Sequence, residues 1–108
     1  MNAIVIRANE GEIVERDGIR YTIKAKSEKL LVMLCELEIG KETPFYEHTG
    51  EELRFVLEGE IECSIGGEKY ILKAGDAIWH SSKIPHKVKN VGKNRAVYVA
   101  IGTPATFF

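Results

Sequence analysis

The sequence predicts an all-β domain, a sandwich or small barrel, and three observations predict it. Apolar residues recur with a period of two nearly everywhere, glycines punctuate the pattern, and no window carries an apolar stripe at helical spacing. Turn signals at roughly 8–12-residue intervals fit many short strands. At 108 residues the chain is expected to be one domain, spanning 1–108, with a single core.

The first strand is expected at Ala3–Arg7, followed by Ile19–Ala25 and Leu31–Ile39. In the third, Met33, Cys35, Leu37 and Ile39 share one face, and Val32, Leu34, Glu36 and Glu38 share the other. That second face is apolar in its first half, where a solvated strand is polar. Either the N-terminal segment covers it or a second copy does; exposed apolar patches on small domains usually mark association, which points to a homodimer. Leu53–Leu57 reads as the next strand. Ile61, Cys63 and Ile65 then alternate with Glu60, Glu62 and Ser64, Gly66-Gly67 turns the chain, and Lys69–Leu72 runs back as the partner. Ala77–His80, His86–Asn90 and Ala96–Ile101 complete the set, with Gly11, Gly18, Gly40, Gly59, Gly75 and Gly92 between strands.

The 15 basic and 16 acidic residues nearly cancel, so there is no electrostatic footprint for nucleic acid or a membrane surface. Lys83, Lys87, Lys89 and Lys93 form a local basic stretch that nearby glutamates offset. Cys35 and Cys63 lie inside apolar runs without a Cys-x-x-Cys neighbour and read as buried, reduced thiols. No apolar run approaches the roughly 20 residues of a membrane span, and the first residues lack the pattern of a signal peptide. A cytoplasmic location is expected.

The chemistry concentrates in two segments. One runs from Gly40 through His48 and Glu52 to Gly59; the other holds Gly75-Asp76, then Pro85-His86 and Asn90. The chain has three histidines, and two of them stand here. On an extended segment His48, Gly50 and Glu52 point the same way. Barrel closure can bring His86 from a neighbouring strand. Three polar groups aimed into a dry interior need a shared partner. Two imidazoles and a carboxylate are a set that divalent transition metals select, with positions left open. His48, Glu52 and His86 are therefore the candidate metal ligands. The set accepts iron, manganese, nickel, copper or zinc according to supply.

The same residues carry a family resemblance. In the cupins, small barrels of jelly-roll type, a first motif has Gly, five residues, His-x-His, three or four residues, Glu, six residues and Gly. Gly40, His48, Glu52 and Gly59 match it in register, and Tyr46 stands where the first His belongs. A second motif has Gly, five residues, Pro-x-Gly, two residues, His, three residues and Asn. Gly75, His86 and Asn90 match, while Ser81 and Lys83 replace the Pro and the Gly. The chain thus resembles a small single-domain cupin. The stretch Gly50 to Glu60, the pairs Gly75-Asp76 and Pro85-His86, and the tail Gly102–Phe108 resemble the cupin domains fused behind helix-turn-helix regulators. In those proteins the barrel is thought to sense a small molecule, and only that barrel half is implied here.

Tyr46 has three readings: ligation as phenolate, lining the pocket beside the ligands, or pointing elsewhere; lining is favoured because a phenol seldom loses its proton. With one family ligand replaced, weaker binding and a partly empty site on purification are expected. His80 can supply a substitute imidazole if its face looks inward, or it is an ordinary packed histidine. Arg54 shares strand parity with Glu52, so it either pairs with Glu52 or Glu47 or meets an anionic ligand such as a carboxylate. Trp79 and Phe45 either cover the pocket mouth or pack in the core. Asp76 reads as a turn residue.

Two functions follow from the resemblance: a sensor or binding module for a small molecule, and a metal-dependent enzyme of dioxygenase, isomerase or decarboxylase type acting on a small metabolite. A metal-free structural barrel is the third. Tyr46, Glu47 and His80 are the candidates for a general acid or base. The altered first motif and the regulator-like stretch favour the binding module.

Overall fold

The structure is a computed structural model that describes residues 2–105. Among the described residues, nine strands form two antiparallel sheets, and there is no helix. Strands β1 (Glu12–Arg16), β2 (Ile19–Lys26), β3 (Leu31–Leu37), β4 (Glu51–Glu58), β7 (Ala77–Ser81) and β9 (Ala96–Thr103) make a six-stranded sheet in the order β1-β2-β3-β9-β4-β7. Strands β5 (Glu60–Ile65), β6 (Glu68–Lys73) and β8 (His86–Asn90) make a three-stranded sheet in the order β6-β5-β8. The predicted all-β architecture holds.

Two expectations about elements are corrected. Ala3–Arg7 is not a strand; its carbonyls find no ladder, and Lys24 Nζ instead binds the main-chain oxygens of Arg7, Ala8 and Glu10. The first strand is Glu12–Arg16, joined to β2 by Asp17-Gly18 with φ of 55° and 75°. Positive φ at both residues is what a two-residue type I′ hairpin requires, and Asp-Gly supplies it at low cost. The second correction concerns Ile39. The strand ends at Leu37, so Ile39 lies outside it and is exposed, while Met33, Cys35 and Leu37 are buried as their alternation requires.

Inward side chains of the large sheet fall into cross-strand rows. Tyr21, Cys35, Tyr98 and Val56 form one; Ile23, Met33, Ala100, Arg54 and Ile78 form the next; Leu31, Gly102, Glu52 and His80 form the third. Ile61, Cys63, Leu72 and Val88 close the core from the small sheet. The charged pair Glu52 and Arg54 is thus flanked on β9 by two small inward residues, Gly102 and Ala100, which leave room for polar side chains inside an apolar layer.

Candidate metal centre

The segment between β3 and β4 brings the first motif to the second. It runs antiparallel to β8 through main-chain bonds from Thr43 N to Val88 O, between Tyr46 and His86 in both directions, and from His48 N to Ser82 O. Tyr46 and His48 thereby lie alongside the end of β8 that carries His86. Gly50, at φ 101°, then turns the chain into β4, where Glu52 faces inward. Asn90, the last motif residue, donates to the carbonyls of Leu37 and Asn94 and accepts from Gly92 N, so it pins the turn after β8. Asp76 accepts from Lys73 N and closes the turn after β6.

Among the described residues, His48, Glu52 and His86 offer ligand atoms that all lie within 4.8 Å of one another. Glu52 Oε1 is 2.6 Å from His48 Nε2 and 3.2 Å from His86 Nε2. Glu52 and His86 are each 1% exposed. Each imidazole is oriented by a carbonyl: His48 Nδ1 lies 3.1 Å from Thr49 O, and His86 Nδ1 lies 2.8 Å from Ile84 O. A carbonyl can only accept, so both Nδ1 atoms carry hydrogens and each neutral ring presents its lone pair at Nε2. Two lone pairs and a carboxylate oxygen facing one another repel unless a cation, proton or metal, lies between them. That donor set, with each ring held from behind, fits a divalent transition ion.

Glu52 has a second set of contacts on its other oxygen. Arg54 binds Oε2 at 2.6 Å through one amino group and His80 Nε2 at 2.5 Å through the other. His80 Nδ1 donates to Ser81 O, so His80 is a neutral imidazole with both nitrogens engaged. Burial, foremost, also pulls its pKa down. Burial alone pushes the Glu52 carboxyl up, but in the metal-free protein the proton that lies between it and the His86 imidazole, together with the Arg54 guanidinium, outweighs burial and holds the group at about 2.

The structure therefore brings His48, Glu52, His86, Tyr46 and Arg54 to one cavity, whose wall also includes Tyr21, Cys35 and Tyr98. His80 is buried behind it, its ring 4.6 Å from the His86 ring and tilted by 50° to it. Burial pushes the Tyr46 phenol above its ordinary value, against the pull of Arg16, which keeps it a neutral group lining the cavity. Burial likewise pushes the Cys35 thiol up to about 12, so it is no thiolate ligand. Trp79 and Phe45 do not line the cavity. Each is one residue out of phase with an inward neighbour, His80 or Tyr46, and they are 60% and 57% exposed. Trp79 donates to Glu51, and Lys87 lies over the Phe45 ring.

Tyr21, Cys35 and Tyr98 escaped the motif-based reading although their signal was present: all three fall on inward parity and pair in register across β2, β3 and β9. The free space is small. It leaves about 20 Å³ for the centre of an occupant, enough for an ion or water. A typical metabolite pocket has roughly 300–1,000 Å³.

A two-sheet barrel with an inward cluster of two histidines and a glutamate defines the class, and sequence comparison agrees. Residues 33–102 match the Cupin domain family Cupin_2, and the chain belongs to it. A 59-residue stretch is 44% identical to an uncharacterized protein of Archaeoglobus fulgidus, covering 55% of this chain and 56% of that one. A 61-residue stretch is 39% identical to the HTH-type transcriptional regulator PuuR of Escherichia coli, covering 56% of this chain and 33% of the regulator. The chain thus spans about half the length of the first relative and a third of the second. Among solved structures, an RmlC-like cupin from Shewanella frigidimarina superposes with a TM-score of 0.87, at 18% identity, over 98% of this chain and 95% of that one. At that identity the likeness shows the fold alone.

Proposed function

We propose that this barrel holds a divalent transition metal on His48, Glu52 and His86 and works as a small-molecule binding or sensor module. The observation that carries the reading is the convergence of two carbonyl-oriented imidazoles on a carboxylate oxygen in a buried cavity. Such an ion supplies Lewis acidity and open coordination positions. Around it, Arg54 occupies Glu52 Oε2 and leaves Oε1 as the ligand atom, Tyr46 stands as a neutral hydroxyl in place of a third imidazole, and the apolar rows exclude bulk water.

An enzyme reading has less support from the residues nearby. Of the groups expected to act as acid or base, Glu47 is exposed, His80 has both nitrogens bonded, and Tyr46 is held as the phenol. The likeness to part of a transcriptional regulator also favours a sensor. Elemental analysis of protein purified without a polyhistidine tag, as isolated and after incubation with iron or manganese, tests the metal. Up to one equivalent is expected, incomplete as isolated, with at least a tenfold loss of affinity in His48→Ala. A wild-type chain that stays empty in excess metal would overturn the reading. Turnover in dioxygen-uptake assays would favour the enzyme instead.

The homodimer reading rests on the outer face of the large sheet. Val32, Ile101, Leu53 and Trp79 make one outward row, and Leu34, Val99, Phe55 and Ala77 make the next. The N-terminal segment is itself exposed, with Ile4 and Val5 at 84% and 63%. Light scattering at micromolar concentration is expected to give a dimer, and Leu34→Lys a monomer; a wild-type monomer would remove this reading. A cytoplasmic location is consistent with the two free, buried cysteines.

A further inference from the structure

The segment Ala3–Arg7 has the composition of a strand but joins no ladder among the described residues. Ile4, Val5 and Ile6 are 84%, 63% and 42% exposed, an apolar run left to water on both of its faces. Ile4 and Ile6 share one parity and only border an open groove along Ile23 and Ala25 of β2. The root of this arm, by contrast, is fixed. Lys24 Nζ binds the carbonyls of Arg7, Ala8 and Glu10 at 2.9, 3.2 and 2.6 Å, and Glu10 N closes a turn on Arg7 O. An arm tied at its base and unpaired along its length is a strand lacking an edge to join.

The chain also carries an edge lacking a strand. Among the described residues β7 ends the large sheet and pairs with β4 alone. Its outward residues are Ala77 and Trp79, and Trp79 ends the apolar row that runs through Val32, Ile101 and Leu53. The strand at the other end, β1, is a poorer acceptor. Its Glu12, Glu15 and Arg16 are charged, the usual protection of a sheet edge, whereas β7 holds no Lys, Arg, Asp or Glu. An arm cannot serve its own β7. Along the sheet order, β7 stands four strand spacings from β2, about 19 Å. Residues 2–6 span roughly 17 Å when fully extended, and pairing requires lying along the edge, not merely reaching it.

We infer that two copies of the chain exchange their arms, residues 3–6 of each adding as an edge strand to β7 of the other. This rests on the homodimer reading above and names the contact that makes the dimer specific. A two-fold interface must be self-complementary, and each chain offers one free strand and one free edge. Pairing them joins main-chain groups that both segments otherwise leave to solvent, and the alternating apolar side chains set the register. The arm then extends the row that ends at Trp79, so the edge contact and the packing of the outer faces become one continuous surface.

The test compares the full chain with a variant lacking residues 2–6 by sedimentation over a concentration series. Because the arm joins no ladder, the shortened chain should fold, and far-ultraviolet circular dichroism checks this. Val5→Glu in the full chain is the second variant. Wild type is expected to be a dimer, and both variants should dissociate at least about tenfold more readily. Proximity is read separately. Chains carrying Val5→Cys and chains carrying Ala77→Cys are mixed and treated with a short bismaleimide, Cys35 and Cys63 being buried away from it. Crosslinked pairs of unlike chains are expected, and none when Glu12→Cys takes the place of Ala77→Cys. Dimerisation unchanged or tightened in both variants, or crosslinking to Glu12→Cys and not to Ala77→Cys, would overturn arm exchange while leaving the face-to-face dimer standing. A monomeric wild type would overturn both.

Discussion

Glu52→Gln is expected to destabilise the metal-free protein by about 3–5 kcal/mol at neutral pH, the usual cost of stranding one partner of a buried ion pair. The substitution keeps the size of the side chain and removes the charge that Arg54 faces at 2.6 Å. It also removes the anionic ligand atom, so metal uptake should fall with it. The effect has a pH signature. An unfolded glutamate takes up its proton near 4.5, whereas the folded Glu52 holds off until about 2. Below 4.5 the unfolded state binds more protons, so the stabilisation is complete above that value and is lost as pH falls towards about 2. Urea unfolding of both proteins at pH 7 and pH 3 checks this. The gap between them should be widest at pH 7 and narrow at pH 3; a gap below 1 kcal/mol at pH 7, or one that does not narrow, would contradict the buried pair.

Gly50→Ala carries the second large effect, through the backbone. Gly50 has φ 101°, and a Cβ there would lie 1.9 Å from Thr103 O and 2.7 Å from Pro104 Cδ. Nothing flexible can yield, because the nearest obstacle is the main chain of β9. Strain of about 1–3 kcal/mol adds to a similar overpacking cost. Gly40→Ala is the control: its φ is 77°, but nothing lies within 4 Å of the added carbon. Only the left-handed penalty of about 1–2 kcal/mol should appear there. Gly50→Ala should also weaken metal uptake, because Gly50 sets His48 against Glu52, while Gly40→Ala should not. Denaturation curves and metal titrations of the two variants read both outcomes.

Most of this fold was legible because period-two alternation is a local signal. Eight of the nine strands begin and end within a few residues of where the apolar pattern places them. The exception shows where a local signal stops. Ala3–Arg7 has strand composition, but a strand needs a partner, and composition cannot say whether one exists. Glu12–Arg16 is short and mostly charged, and only the Asp17-Gly18 turn announced it. At the site, motif spacing located His48, Glu52 and His86, and parity located Arg54. The partition of the Glu52 oxygens between Arg54 and the histidines depends on rotamers and on cross-strand neighbours, neither of which sequence displays. By residue type Trp79 and Phe45 are expected at the pocket mouth or in the core, yet they stand outside, one step from the inward His80 and Tyr46.

The two sheets meet at the cluster: Glu52 belongs to the six-stranded layer and His86 to the three-stranded one, with His48 on the segment that bridges them. An ion shared by these side chains would act as a further rivet between the layers, beside their apolar packing and the bond from Asn90 to the Leu37 carbonyl. Loading and heat resistance would then rise and fall together, and the melting temperature would become a gauge of how full the barrel is.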